Sequence, residues 1–216
     1  MDILARLDET RSATNVLEHP FYQRWSAGEL SAEELECYAG EYRHAVVALA
    51  SASELTAQKA DAAHAEGLRR HAAEETAHVA LWEQFAEASG AAPRADAARL
   101  RETDECVEAW TAGDDVLEHL AVLYAIEAGQ PQISRTKLDG LSAHYGYSDE
   151  GPATEYFSVH ELRDVEHARQ AGELIVELLA GSAEPQEQAE RMVRRAEQAL
   201  RGNWQLLDGV EAQAAR

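Results

Sequence analysis

Apolar side chains recur three and four positions apart along most of this chain, with polar residues between them. Such spacing is typical of amphipathic helices, which bury one face and expose the other. The pattern predicts three long amphipathic helices, over residues 62–89, 154–180 and 186–212. A nearly continuous apolar run predicts a central helix over residues 116–128.

Residues typical of helix starts occur where further helices are expected to begin. Ser31 is followed three positions later by Glu34, which predicts a capping box opening a helix that continues to Lys59. Pro20 suits the first turn of a short helix, because its missing N–H would be unpaired there anyway. Gln130-Pro131 indicates a kink or a restart. Further helices are expected over residues 2–16, 94–111 and 133–144.

Composition supports an all-α fold. The chain is rich in Ala, Leu, Glu and Arg, with 5 prolines and few β-branched runs. Its 216 residues suffice for one sizeable core, so we expect a single domain over residues 1–216.

The charge excludes some partners. A formal net charge of −21 disfavours binding to nucleic acids or anionic membranes, because phosphate contacts need clustered Lys and Arg. No apolar run approaches the roughly 20 residues that span a bilayer, and no signal peptide is evident at the N-terminus. We expect a cytoplasmic protein. Cys37 and Cys106 predict buried thiols rather than a disulfide framework or a zinc site.

Candidate metal ligands stand on the helix predicted over residues 154–180. His160, Asp164 and His167 are spaced i, i+4 and i+7, so they project from one helix face. Two imidazoles and a carboxylate suit iron, manganese or zinc when facing helices complete the site. A polar, solvent-facing helix surface is the alternative interpretation.

Two other helices could supply the missing ligands. Glu74 or Glu75 shares a face with His78, although an exposed acidic face would look the same. Glu127 ends the apolar helix, where an unpaired carboxylate is costly and needs a cation beside it. Carboxylate and histidine sets on three helices predict a site for two transition-metal ions, iron or manganese, in a helical bundle.

Between His19 and about Ala171 the chain resembles the heme-oxygenase-like di-metal oxidases, within the wider TenA/PqqC-like superfamily. The resemblance is greatest to the group of the chlamydial protein associating with death domains and its bacterial relatives. The matching segments are His19 to Leu30, Leu81 to Phe85, Leu123 to Pro131, Lys137 to Leu141, and His160 to Arg169.

This resemblance implies a bundle of seven or eight helices, often a homodimer, in which two metals activate dioxygen. It also implies synthesis of 4-aminobenzoate from one of the enzyme's own tyrosines, with a lysine giving the nitrogen. Tyr22 and Lys137 fall on those two positions. In the relatives, six residues separate the first metal-binding Glu from the first metal-binding His. Here six residues separate His71 from His78, so His71 is a candidate substitute ligand at the position of that Glu.

Other departures and functions remain open. Residues 48–51 and Ile126 replace aromatic residues of the relatives, which would leave a less aromatic pocket. An oxidase of an external small molecule, a thiaminase-like enzyme, a heme oxygenase, a cofactor-free oxidase and a non-catalytic binding protein are the alternatives. A thiaminase would need a nucleophilic Cys37 or Cys106, and a heme oxygenase would need His19 as the iron ligand.

Overall fold

The computed structural model describes residues 2–91 and 99–214, and these residues form nine α-helices with no strand among them. The helices α1 to α9 span Ile3–Ala13, Pro20–Ala27, Ala32–Lys59, Ala65–Ala88, Arg101–Thr111, Val116–Glu127, Gln130–His144, Pro152–Ala180 and Pro185–Ala214. A short 3-10 helix, Val16–Glu18, joins α1 to α2. The all-α class is confirmed. The count exceeds seven or eight partly because α2 is a separate short helix.

The predicted helix starts are present. Ser31 Oγ accepts a hydrogen bond from the Glu34 amide at 3.2 Å, and the Glu34 carboxylate accepts one from the Ser31 amide at 2.8 Å. Pro20 opens α2, which ends at Gly28 in the left-handed conformation with φ 72°. Because Gly lacks a Cβ, this conformation carries no steric penalty there.

Some predicted bounds differ from the structure. Helix α1 stops at Ala13 because the Asn15 side chain accepts a hydrogen bond from the Leu17 amide and caps the 3-10 helix instead. Helix α7 begins at Gln130, so the Gln130-Pro131 pair is a restart rather than a kink. Helix α5 is described from Arg101; the predicted start at Arg94 lies outside the described residues.

The helices that carry the candidate ligands pack together. Helix α8 lies against α4, α6 and α7, and α4 also packs against α3. Helix α6 is central as predicted, since residues 117–127 are all buried. No helix within residues 2–91 and 99–214, α6 included, is long and apolar enough to cross a bilayer.

A close approach between α2 and α7 positions two further candidate residues. A Cβ added to Gly140 would lie 2.5 Å from the Trp25 ring, so glycine allows Trp25 to reach the α7 backbone. The Trp25 indole N–H donates a hydrogen bond to the Lys137 carbonyl at 3.2 Å. This contact fixes Tyr22 on α2 beside Lys137 on α7.

Candidate metal centre

Helix α4 presents three candidate ligands on one buried face. His71, Glu75 and His78 stand at i, i+4 and i+7, within about 60° of one another around the helix axis. Glu75 and His78 are buried, and the His71 side chain keeps 13% of its surface exposed. The face turns inward because the same helix buries Trp82 and Phe85 in the core.

Helix α8 repeats this arrangement with His160, Asp164 and His167, all buried. Both helices therefore carry the spacing His, three residues, acid, two residues, His. The helices run antiparallel here and their imidazoles pair across the interface. The rings of His71 and His167 have centroids 4.3 Å apart, and those of His78 and His160 are 4.5 Å apart.

Glu75 lies between the two imidazole pairs. Its Oε1 is 3.2 Å from His78 Nδ1, 3.6 Å from His167 Nδ1 and 3.8 Å from His71 Nε2. Its Oε2 is 3.8 Å from His160 Nε2. One carboxylate thus faces all four rings.

Two more carboxylates complete the group. Glu127 of α6 is 0% exposed, and its Oε1 lies 2.9 Å from His71 Nε2. Asp164 is 1% exposed, with Oδ1 3.4 Å from His167 Nδ1. We define the seven-residue cluster as these side chains together: His71, Glu75, His78, Glu127, His160, Asp164 and His167.

Glu74 lies outside the cluster. Its Oε2 accepts hydrogen bonds from the Arg163 guanidinium at 2.5 Å and from His167 Nε2 at 3.2 Å, and its side chain is 31% exposed. Of the two glutamates left open by the sequence, Glu75 is the one that faces inward. His71, which the sequence offered only as a substitute, lies beside Glu75. The repeated spacing on α4 and α8 is the signal that could have placed His71 from sequence.

Polar atoms of the cluster lie at ion-pair distances from one another, as His71 Nε2 and Glu127 Oε1 do, but the contacts lack hydrogen-bond geometry. Of fourteen buried side-chain N or O atoms without a hydrogen-bond partner in the described residues, nine belong to the seven-residue cluster. Both oxygens of Glu127 and both oxygens of Asp164 are among them. Leaving a buried polar atom unpaired costs about 1–3 kcal/mol, and more for a charged group. A bound cation would satisfy these atoms.

The charges within the cluster shift each other's pKa values. Burial alone would lower the pKa of His71, but the negative charges of Glu127 and Glu75 raise it to about 9. Burial raises the pKa of Glu127, and the charges of Glu75 and Asp164 raise it further against the opposing effect of His71. Three carboxylates in one interior site therefore favour a nearby positive charge.

The donors form two overlapping sets, each with ligand atoms within 4.8 Å of one another. The first contains His71, Glu75, Glu127 and His167, and the second contains Glu75, His78 and His160. Imidazole nitrogen and carboxylate oxygen suit iron, manganese or zinc. The residues therefore fit two transition-metal ions that share Glu75.

Lys137 is buried in a group of aromatic rings near the cluster. Its Nζ lies 4.8 to 5.7 Å from the centroids of Tyr42, Phe157, Tyr38, Tyr22 and Trp82. Burial lowers the pKa of Lys137 to about 7. At neutral pH a substantial fraction of this amine is unprotonated and nucleophilic.

Tyr22 belongs to the same group of rings. It is 2% exposed, and its hydroxyl is 3.3 Å from the Tyr38 hydroxyl. Burial raises the pKa of Tyr22 well above its ordinary value, and the nearby Tyr42 adds to the effect against the hydrogen bond with Tyr38. The phenol is therefore protonated.

Ring contacts join this group to the cluster. The Tyr156 ring stacks on His160 with centroids 4.0 Å apart, and Tyr156 meets Trp82 edge to face at 4.9 Å. Trp82 in turn lies 5.8 Å from Tyr38. Although Ile126 and residues 48–51 lack aromatic side chains, the surroundings of Lys137 are strongly aromatic.

Two alternative chemistries lack their reactive groups. Burial raises the pKa of Cys37 to about 11 and raises that of Cys106 further, so neither thiol is ionised as a nucleophile must be. Both cysteines are free, Cys106 is buried, and Cys37 is half-buried. His19 Nδ1 accepts a hydrogen bond from the Phe21 amide and its Nε2 contacts Asp208 at 3.1 Å, so neither nitrogen is free for heme iron.

Comparisons with known proteins agree with these features. Residues 71–204 match the family described as iron-containing redox enzymes. A 4-aminobenzoate synthase from Chlamydia trachomatis is 33% identical over 85% of this chain and 84% of its own length. One from Nitrosomonas europaea is 34% identical over 95% of this chain and 89% of its own.

Solved structures share the fold. A protein of heme oxygenase-like fold from Shewanella denitrificans has a TM-score of 0.80 at 17% identity, covering 98% of this chain and 91% of its own. A TenA homologue from Pseudomonas syringae has a TM-score of 0.82 at 16% identity, covering 97% and 91%. The heme-oxygenase-like fold expected from the sequence is confirmed.

Proposed function

The chain belongs to the iron-containing redox enzymes of heme-oxygenase-like fold, and from that premise we propose that it makes 4-aminobenzoate from its own Tyr22 and Lys137. Membership makes it an oxidoreductase. The substrate, the two metals and the use of dioxygen are our proposal. The names of the relatives support the product.

The seven-residue cluster is the proposed metal site. His71 and His167 would bind one ion with Glu127, His78 and His160 would bind the other, and Glu75 would bridge them. Asp164 completes the site beside His167. Two iron or manganese ions would supply the activation of dioxygen that oxidation of a phenol requires.

Lys137 is the proposed nitrogen donor. An amine must lose its proton before it can attack carbon, and burial lowers the pKa of Lys137 to about 7. The surrounding aromatic rings fix the amine 5.5 Å from the centroid of the Tyr22 ring. Holding two reacting groups together removes much of the entropic cost of their encounter.

Tyr22 is the proposed source of the aromatic ring. Helix α2 is short and lies between Pro20 and Gly28, and the Tyr22 ring contacts Phe21 at 5.7 Å between centroids. Because the ring is buried with Lys137, solvent does not compete for an oxidised intermediate.

One observation carries the proposal: an amine with a lowered pKa lies against a buried phenol, and ring contacts join both to the seven-residue cluster. A lysine retained only for stability would not be placed in such surroundings, because burying an ammonium is costly.

Isotopic labelling tests the proposal, since the chain has only two lysines, Lys59 and Lys137. Lys59→Arg protein made in a lysine auxotroph with ¹⁵N-lysine carries that label at Lys137 alone. Fe(II)-loaded protein is then exposed to dioxygen and a reductant. We expect at most one ¹⁵N-labelled 4-aminobenzoate per chain, with mass changes at two places: Tyr22, which loses its ring, and Lys137, which loses its side-chain nitrogen.

Matched variants sharpen the result. Tyr22→Phe and Lys137→Met should abolish the product, whereas Tyr147→Phe should release as much as the parent. An intact Tyr22 after demonstrated oxygen consumption would contradict self-sacrifice. It would favour the competing function, oxidation of an external small molecule at the same metals.

A further inference from the structure

A cavity of about 320 Å³ opens from the surface between α4, α6 and α8 and ends at two members of the seven-residue cluster, His71 and His167. Its volume is at the small end of the range for ligand-binding pockets. The other imidazole pair, His78 and His160, does not line it. The cavity therefore reaches one half of the cluster.

The cavity wall is apolar. Leu68, Leu120 and Leu123 are buried and form part of it, and the half-buried Leu174 lies on its α8 side. Apolar walls that end at two imidazoles suit a ligand with an apolar body and one donor atom.

Two acidic side chains lie at the mouth. Glu173 and Glu177 on α8 are 67% and 69% exposed, and Glu173 pairs with the Arg169 guanidinium at 2.5 Å. His64, also at the mouth, contacts Glu177 at 3.3 Å and Asp61 at 2.8 Å. In a chain of formal net charge −21, such an opening disfavours anions.

The opposite half of the cluster has different surroundings. His160 stacks on Tyr156, and His78 packs against His160, on the side that leads to Trp82 and Lys137. One half thus faces the proposed internal substrate, and the other faces a cavity open to solvent.

We propose that this cavity binds a small neutral molecule that has an apolar body and one nitrogen or oxygen donor, and that the donor reaches the metal held by His71 and His167. The inference rests on the proposed function, because it requires that metal. The bound molecule approaches from the side opposite Tyr22 and Lys137, so an external ligand and the internal substrate are accommodated together.

Cobalt substitution provides the test, with imidazole as the neutral probe. Visible spectra of Co(II)-loaded protein report imidazole binding, and elemental analysis reports cobalt content in the same samples. Leu174→Trp fills the cavity, and Gln170→Trp obstructs it from an exposed position at its mouth. Leu162→Trp, on the same helix but 74% exposed and outside the cavity, is the control.

We expect both cavity variants to bind imidazole about tenfold or more weakly at unchanged cobalt content, with the control like wild type. Glu173→Gln/Glu177→Gln should strengthen azide binding and leave imidazole binding unchanged. Full cobalt content with wild-type imidazole affinity in both cavity variants would overturn this inference alone. A wild-type protein that retains no cobalt would overturn the proposed function as well.

Discussion

Glu74 accepts a hydrogen bond from Nε2 of His167 across 3.2 Å, although Glu74 itself lies outside the seven-residue cluster. The bond directs His167 Nδ1 toward Glu75, which is 3.6 Å away. A carboxylate on the outer nitrogen of a metal-binding histidine fixes its tautomer and orientation. Glu74 therefore has the geometry of a positioning residue.

The two neighbouring glutamates should respond differently to mutation. We expect Glu75→Gln to lower metal content from about two ions per chain to about one or fewer, because Glu75 would bridge the ions. Glu74→Gln should retain both ions with about 10- to 100-fold weaker affinity, as is typical when a histidine loses such a partner. Competition with a metal-binding dye measures both.

Glu83→Gln is the matched control, since Glu83 also lies on α4 and pairs with an arginine, Arg43, away from the cluster. If Glu74→Gln lost one ion completely while Glu75→Gln kept two, the assignment of the two residues would be reversed.

Substitution of single candidate ligands tests the cluster as a whole. His71→Ala, Glu127→Ala and His167→Ala should each bind fewer ions than wild type after loading with Fe(II) or Mn(II) and dialysis. His64→Ala, which changes the histidine that precedes the first turn of α4, should bind as many ions as wild type. Metal content that stays equal in all three cluster variants, by elemental analysis, would contradict the site.

The inward position of the candidate ligands on α8 and α6 could be predicted from sequence, because the i, i+4 and i+7 spacing on α8 and the apolar run of α6 fix the direction of these side chains. Spacing from His78 alone could not decide between Glu74 and Glu75, since both share a face with His78. The repeat of the α8 spacing on α4 favours Glu75, and the packing of α8 places Arg163 beside Glu74.

The surroundings of Lys137 could not be predicted from the sequence either, because they depend on long-range packing. Its lowered pKa comes from burial, and the rings that bury it belong to α2, α3, α4 and α8. Residue spacing along α7 does not indicate these rings. The homodimer and the cytoplasmic location stay predictions.

Metal binding should stabilise the fold. Without cations, burial and the charges of Glu75 and Asp164 disfavour ionisation of Glu127, and a ligand that binds only the folded state stabilises it by mass action. Verified metal removal should therefore lower the melting temperature measured by calorimetry. Glu75→Gln, which we expect to bind less metal, should respond less to the same chelator. An unchanged melting temperature in fully depleted wild type would refute this coupling.

Replacing Lys137 should change how stability depends on pH. Burial lowers the pKa of Lys137 from 10.5 to about 7 in the folded state. Between these values the unfolded chain binds a proton that the folded chain has released, so this residue makes the free energy of unfolding rise with pH. Below pH 7 both states are protonated, and the folded state bears the full cost of a buried ammonium.

Lys137→Met should therefore stabilise the protein most under mildly acidic conditions, and its advantage should shrink by up to about 1.4 kcal/mol per pH unit above neutrality. Urea unfolding of metal-free protein on both sides of neutral pH measures the difference from wild type. Lys59→Met removes an exposed lysine at the end of α3, whose Nζ donates a hydrogen bond to the Asp114 carbonyl at 3.2 Å outside the core, so its effect should not vary in this way. An advantage of Lys137→Met that stayed constant with pH would mean that Lys137 keeps its proton in the folded state. An ammonium has no free electron pair, so that result would also remove the physical basis for Lys137 as the nitrogen donor.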